Sequence, residues 1–182
     1  MKKLALTDFA KYRYPSALEL SPDGRYLTFA LKDVDREGDG YRWNLWLYDL
    51  ERRESRQITR GDDQRKAVWE DNTHILYKTT EPDKAMRARG FEEEWTVYHR
   101  LNVCTGEDRE AFRLPMSVSG LWKMDEGRYV FTGETHLDRP NLLELTGEAL
   151  EKELVRRQQT KGYKVLTELP LCENGVGMFN QT

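Results

Sequence analysis

Few side chains in this chain could do chemistry, and their spacing argues against most of it. There are five serines: Ser16, Ser21, Ser55, Ser117 and Ser119. Serine hydrolysis on an α/β fold uses Gly-x-Ser-x-Gly, which lifts the hydroxyl onto a strained turn beside an oxyanion hole. None of the five lies in that motif, and Ser119-Gly120 supplies only its second half. His74, His99 and His136 sit in strand-like runs, where an imidazole is a structural group rather than a base. No catalytic residue is expected. Asp33-x-Asp35-x-Glu37-Gly38 has the opening spacing of a calcium loop. The closing bidentate position falls on Asn44, and strands rather than helices flank the run, so it reads as a solvated loop. Cys104 and Cys172 stand 68 positions apart, and neither belongs to a Cys-x-x-Cys pair. Neither a zinc site nor a disulfide framework is supported, and reduced thiols in a cytoplasmic protein are the expected state. No metal and no cofactor is expected. Phe91-Glu92-Glu93-Glu94-Trp95 concentrates three carboxylates, which by themselves form a solvated charge run.

Composition narrows the class further. The 182 residues carry 29 Lys+Arg against 32 Asp+Glu, a formal net charge of -3. This balance gives no drive toward nucleic acid or an anionic membrane. Charged residues make up 34% of the chain, above the roughly 25% of an average domain. Apolar residues make up only 38%, yet 5 Trp, 9 Tyr and 6 Phe argue for a folded chain. No apolar run approaches the roughly 20 residues of a membrane span. After Met1, Lys2 and Lys3 the apolar stretch Leu4-Ala5-Leu6 stops at Thr7, so no export signal is read.

The elements that must position these side chains are strands. Tyr26–Leu31, Trp43–Tyr48, His74–Thr79, Thr96–Leu101 and Tyr129–Thr132 are aromatic and apolar runs. Turn residues separate them: Pro22-Asp23-Gly24, Asp71-Asn72, Thr105-Gly106 and Glu126-Gly127. Three segments repeat one outline of short strand, acidic turn and longer aromatic strand: Ala17 to Phe29, Ala67 to Tyr77, and Gly120 to Phe131. Their turn residues Gly24, Asn72 and Gly127 are 48 and 55 positions apart. In the first two units a third strand follows, then a charged turn and a fourth strand (Ser55 to Thr59, Glu110 to Leu114). Four strands per roughly 40–50 residues is the signature of a β-propeller blade, whereas a plain antiparallel sandwich lacks the fourfold grouping.

This predicts an all-β fold: a partial β-propeller of about two and a half four-stranded antiparallel blades with one inserted α-helix. Blade 1 spans about 17–63, blade 2 about 64–115, and a partial blade 3 about 116–182. Asp33 to Arg42 and Glu81 to Glu94 read as long charged loops at the blade rim. Trp43, Trp46, Trp69, Trp95 and Trp122 recur at matching places, so they are expected to pack between blades rather than to stack bases. The inserted helix covers about 146–161. Thr146 is its cap, Ala149, Leu150, Leu154 and Val155 form its stripe, and Glu153 with Arg157 is a favourable i,i+4 pair. Tyr163 to Leu169 is strand-like.

Leu20-Ser21-Pro22-Asp23-Gly24-Arg25-Tyr26 resembles the Ser-Pro-Asp-Gly-(Lys/Arg) blade motif of the prolyl oligopeptidase family and of TolB-like propellers. Pro22 presets φ for the turn, and Gly24 supplies the free φ before the next strand. Asp8-Phe9-Ala10-Lys11-Tyr12 and Asn44–Leu50 resemble the lead-in and third strand of acylaminoacyl-peptidase-like members. Leu169-Pro170 with Asn174–Phe179 resembles a later segment of the same members, although Leu171, Cys172 and Glu173 depart from the pattern. The resemblance implies the N-terminal propeller portion of a serine peptidase. There a propeller covers a C-terminal α/β-hydrolase domain and restricts access to short peptides. The hydrolase domain would be this chain's partner, and the chain alone should be inactive. In dipeptidyl-peptidase relatives a Glu-Glu pair grips the substrate's free amine, which makes Glu93 and Glu94 candidate contacts. Ser21, Pro22, Asp23 and Gly24 are implied to be structural. A free-standing TolB- or WD-like scaffold for protein partners is the competing expectation. An unclosed ring exposes edges and faces, so oligomers are expected as well.

Overall fold

The computed structural model describes residues 6–35, 40–61, 63–125, 127–135, 139–160, 171–173 and 177–179, and divides into two units, Met1–Arg139 and Pro140–Thr182. In the first unit a 3-10 helix, Leu6–Lys11, precedes two four-stranded sheets. The first sheet holds β1 (Tyr14–Leu20), β2 (Tyr26–Asp35), β3 (Gly40–Asp49) and β4 (Glu54–Gln57), in that order. The second repeats the plan with β5 (Ala67–Trp69), β6 (His74–Pro82), β7 (Glu94–Asn102) and β8 (Asp108–Leu114). A hairpin, β9 (Ser117–Asp125) with β10 (Arg128–Glu134), follows. All of these pairings are antiparallel and join sequence neighbours. The first strands β1, β5 and β9 approach one another in succession.

The core lies between the sheets rather than within one. Tyr26, Ala30, Leu45 and Leu47 of the first sheet pack with Ala67, Trp69, Ile75, Tyr77 and Leu101 of the second, and with Val103 just after it. On the second sheet's other face, Leu76 and Tyr98 pack with Val118 and Leu121 of the hairpin, flanked by Val68, Phe112 and Tyr129. The strand period of two explains this division. Ile75 and Tyr77 point one way and Leu76 the other, so β6 serves both cores. Ile75 and Leu76 are fully buried, each worth about 1.5–3 kcal/mol of apolar transfer. Hydrogen bonds also cross the first interface. Trp69 Nε1 donates to the Glu19 carbonyl at 3.1 Å, and Arg56 Nη2 donates to that of Val103.

At the two ends of the expected loop Asp33 to Arg42, residues 33–35 and 40–42 are strand, and residues 36–39 lie outside the described residues. The β2–β3 ladder continues through Val34↔Tyr41 to Asp35↔Gly40. Charged side chains on an exposed face do not stop pairing, and here they support it: Lys32 Nζ sits 3.6 Å over the Tyr41 ring, and Arg13 pairs with Asp33 at 3.0 Å. Within Glu81 to Glu94 the chain instead extends β6 to Pro82 and forms a short helix, α1 (Lys84–Ala88). β1 begins at Tyr14, ahead of Ala17. Ala17 has φ 49° and lies in a register shift between Ser16 and Glu19, a bulge that redirects the strand.

In the second unit, Leu142–Glu144 form a 3-10 turn and α2 spans Gly147–Gln159. Thr146 holds the N-cap position but makes no side-chain cap bond. Of the expected stripe Leu154 is buried, whereas Val155 is exposed. Glu153 pairs with both Arg156 (2.7 Å) and Arg157 (3.0 Å). These bonds, led by that from Arg156, bring its carboxyl down to about 2 against the cost of burial. Leu171–Glu173 and Gly177–Phe179 form a separate hairpin, β11 and β12. The expected strand Tyr163 to Leu169 lies outside the described residues.

Candidate functional site

Glu93 and Glu94 lie at the start of β7, where Pro82↔Glu94 closes the β6–β7 ladder. Glu93 is half-buried, and its carbonyl accepts from the Asp83 amide at 2.7 Å. Glu94 is exposed. The residue that organises this rim is Asp83. Its Oδ1 caps α1 by accepting from Met86 N at 2.8 Å, and its Oδ2 accepts from the Trp95 indole at 2.9 Å. The Trp95 bond, then the Met86 bond, hold the Asp83 carboxyl below the usual range. Gly90, with φ 82°, returns the chain toward β7. Across the ladder Arg113 pairs with Glu110 at 2.5 Å, reaches Glu81 at 3.9 Å, and lies 5.7 Å from the Trp95 ring. The rim is therefore a mixed-charge surface with Glu94 turned to solvent.

The motif turn holds together through local bonds. Ser21 is buried; its hydroxyl accepts from Tyr26 N at 2.9 Å and donates to Asp23 Oδ1 at 2.6 Å. Gly24 N donates to the Ser21 carbonyl at 2.9 Å, and Gly24 has φ 73°. The Ser21 hydroxyl and then the Arg25 amide hold Asp23 below the usual carboxylate range. In the second sheet Asp71 plays the corresponding part. Burial raises its pKa, but the amides of Thr73 and His74, with the side chains of both, outweigh this and bring it to about 2. His74 Nδ1 donates to Asp71 Oδ2 at 2.9 Å, and Asn102 Nδ2 donates to His74 Nε2 at 3.1 Å. Both ring nitrogens are thus committed to the turn. His99 stacks on Tyr77 at 5.2 Å and stands 3.6 Å from Asp108, which accepts from the Tyr77 hydroxyl at 2.5 Å. Burial, then Asp108, pushes the Tyr77 phenol well above its ordinary value. Among the described residues no serine hydrogen-bonds a histidine. His136 lies outside them.

A second junction, not legible from spacing, joins the second sheet to the hairpin. Glu70 accepts from the Tyr129 hydroxyl at 2.5 Å, its other oxygen lies 2.6 Å from Arg100 Nε, and its carbonyl accepts from Lys123. The tryptophans divide. Trp69 is buried between the sheets, and Trp46 stacks on Phe29 at 6.5 Å. Trp122, expected in a core, is 47% exposed. Its ring folds over Gly120, where a Cβ would meet it at 2.4 Å, because the two residues share one face of β9.

No family model matches the chain, and no curated protein sequence matches it. Among solved structures, the acylaminoacyl peptidase of Pyrococcus horikoshii aligns over 70% of this chain and 18% of that one, at 14% identity and a TM-score of 0.52. The chain folds as part of a β-propeller. The β-propeller domain of the Trilobed protease from Pyrococcus furiosus, described as having an open velcro topology, aligns over 68% of this chain and 34% of that one, at 14% identity and a TM-score of 0.46. The chain thus spans well under two thirds of either structure. The two four-stranded sheets are blades, the β9–β10 hairpin follows them, and the buried aromatics are the packing between blades. Among the described residues no helix is long and apolar enough to cross a membrane.

Proposed function

We propose that this chain is the N-terminal propeller segment of a prolyl oligopeptidase-type serine peptidase, nearest in kind to the acylaminoacyl peptidases. Its work would be non-catalytic: to cover the active site of an α/β-hydrolase domain, to limit access to short peptides, and to support that domain. The observation that carries this reading is the blade architecture shared with an acylaminoacyl peptidase, together with the Ser21–Gly24 turn. Blade boundaries at about 17–63, 64–115 and 116–182, with the helix inserted at about 146–161, belong to the same proposal, as does a cytoplasmic setting. Glu93 and Glu94 then offer rim carboxylates to a substrate's free amine. Glu93→Ala with Glu94→Ala in the complete enzyme should raise KM for free-amine peptides and leave blocked peptides unchanged. An unchanged KM for both removes the two residues from the site.

The whole reading is tested in the native source with an antibody against this chain and a fluorophosphonate probe for active serines. The expected result is a captured polypeptide larger than 21.5 kDa that carries the label. Capture of unlabelled protein alone overturns the reading and favours a free-standing scaffold.

A further inference from the structure

The end strands of the sheets in the first unit differ in how they guard their open edges. Proline, bulges, short length and charge all discourage a further strand from pairing. β1 carries Pro15 and the bulge at Ala17. β4 and β5 are short, at four and three residues. β8 has Asp108, Arg109, Glu110 and Arg113 among its seven residues. β9 takes the extra residue at both register shifts of its hairpin, Met124 at one and Ser119 at the other. β10 has none of these features. Its seven residues run without a proline, a bulge or an internal charge, and no described strand pairs with its other edge. Such an edge is a template for another strand, and here Val130 and Phe131 on it are exposed.

The charges of β10 sit only at its ends and are opposite in sign: Arg128 and Glu134, both exposed. A strand of this kind is complementary to itself run antiparallel. A twofold axis at Phe131, the middle residue, sets Arg128 of each copy opposite Glu134 of the other. The same register sets Phe131 opposite Phe131 and Val130 opposite Thr132. Unlike charges and aromatic pairs directly opposed are favourable cross-strand contacts. A parallel copy would bring Arg128 beside Arg128, and any other antiparallel register separates both charge pairs. Arg128 also pairs with Asp125 of its own hairpin, and its five N–H donors leave capacity for a second carboxylate. The joined hairpins make a sheet of order β9-β10-β10-β9, with four strands as in each complete blade.

We propose that the β10 edge is a homodimer interface, in which two copies of this chain pair β10 with β10, antiparallel, about a twofold axis at Phe131. Twofold pairing consumes the edge on both copies, so association by this route stops at two. The pairing concerns the 182-residue chain and stands independently of the peptidase reading.

The test is sedimentation equilibrium of the 182-residue protein and of charge variants, with hydrogen exchange of the β10 amides. The mass of the parent should rise with concentration and level off at twice 21.5 kDa. Glu134→Arg should weaken the dimer about tenfold or more, because the axis repeats each altered pair, and Arg128→Glu should do the same. The two combined restore opposite charges in the same register and should return the Kd to within about threefold of the parent. Both side chains are exposed, so the variants keep the fold. The β10 amides that exchange freely at low concentration should be protected in the dimer. The proposal is overturned by a monomer at every concentration, by a mass that climbs past two copies, by a Kd unchanged in Glu134→Arg, or by a combined variant no tighter than either single one. A monomer whose β10 amides are protected throughout overturns it in favour of a segment of the same chain on this edge.

Discussion

Glu70→Ala removes the side chain that ties the second blade to the β9–β10 hairpin. Three consequences follow from the geometry. The Tyr129 hydroxyl loses a carboxylate acceptor at 2.5 Å, a charged hydrogen bond worth about 1.5–3 kcal/mol. Arg100 loses an ion-pair partner at 2.6 Å, with side-chain exposures of 32% for Arg100 and 16% for Glu70. That places the pair between an exposed one, about 0–1 kcal/mol, and a buried one whose breakage costs about 3–5 kcal/mol. The Lys123 contact is to the Glu70 carbonyl and survives. Because Arg100 keeps Asp71 at 3.6 Å as a second partner, the lower half of each range applies, and the total is about 3 kcal/mol. For a chain of this length that lowers Tm by about 6–12 °C. All five tryptophans precede residue 140, so thermal and urea melts followed by Trp fluorescence report the propeller unit alone. Glu70→Gln keeps an acceptor for Tyr129 and should cost less than Glu70→Ala. A Glu70→Ala melt within about 0.5 kcal/mol of the parent would mean that Glu70 does not tie the blade to the hairpin, since that is the ordinary range for an inert surface change.

Alkaline pH should unfold the unit earlier than a surface-tyrosine protein. Burial raises Tyr98 to about 12, and burial with Glu70 raises Tyr129 to about 12, against about 10 in the unfolded chain. A raised folded pKa means that the stabilisation is complete below about pH 10 and is lost as pH rises toward 12. A pH–stability series on the parent and on Tyr129→Phe checks this, and an identical loss in both contradicts it for that residue. In acid the sign reverses for Asp71: lowered to about 2, it contributes stability above about pH 4 that falls away as pH drops toward 2. The isolated chain should self-associate, because Trp122, Met124 and Val130 are exposed on the hairpin. Sedimentation velocity should show mass rising with concentration, and Trp122→Lys with Val130→Lys should suppress it. A monodisperse parent at high concentration sinks the expectation.

What the sequence discloses depends on how local the cause is. The Ser21–Gly24 turn is readable because its bonds span at most five residues, from the Ser21 hydroxyl to the Tyr26 amide. The α2 helix is readable from its stripe and from Glu153, whose partners are one turn away. The flanks 33–35 and 40–42 mislead because charge suggests a loop, whereas the cation–ring contact of Lys32 across the ladder supports their pairing. Trp122 misleads because its pattern matches the buried tryptophans, but Gly120 leaves it room to fold flat on an open face. The Glu70 junction is invisible to any local reading, since Tyr129 stands 59 positions away.

Consecutive four-stranded sheets pack face to face as propeller blades. A methyl NOE experiment on specifically labelled protein tests this packing most directly. Ala30, Leu45 and Leu47 of the first sheet share a core with Ile75, Leu101 and Val103. Strong NOEs are expected between these two sets, as well as between Leu76 and Val118 across the next interface. NOEs confined within each sheet, with none crossing between them, would contradict it.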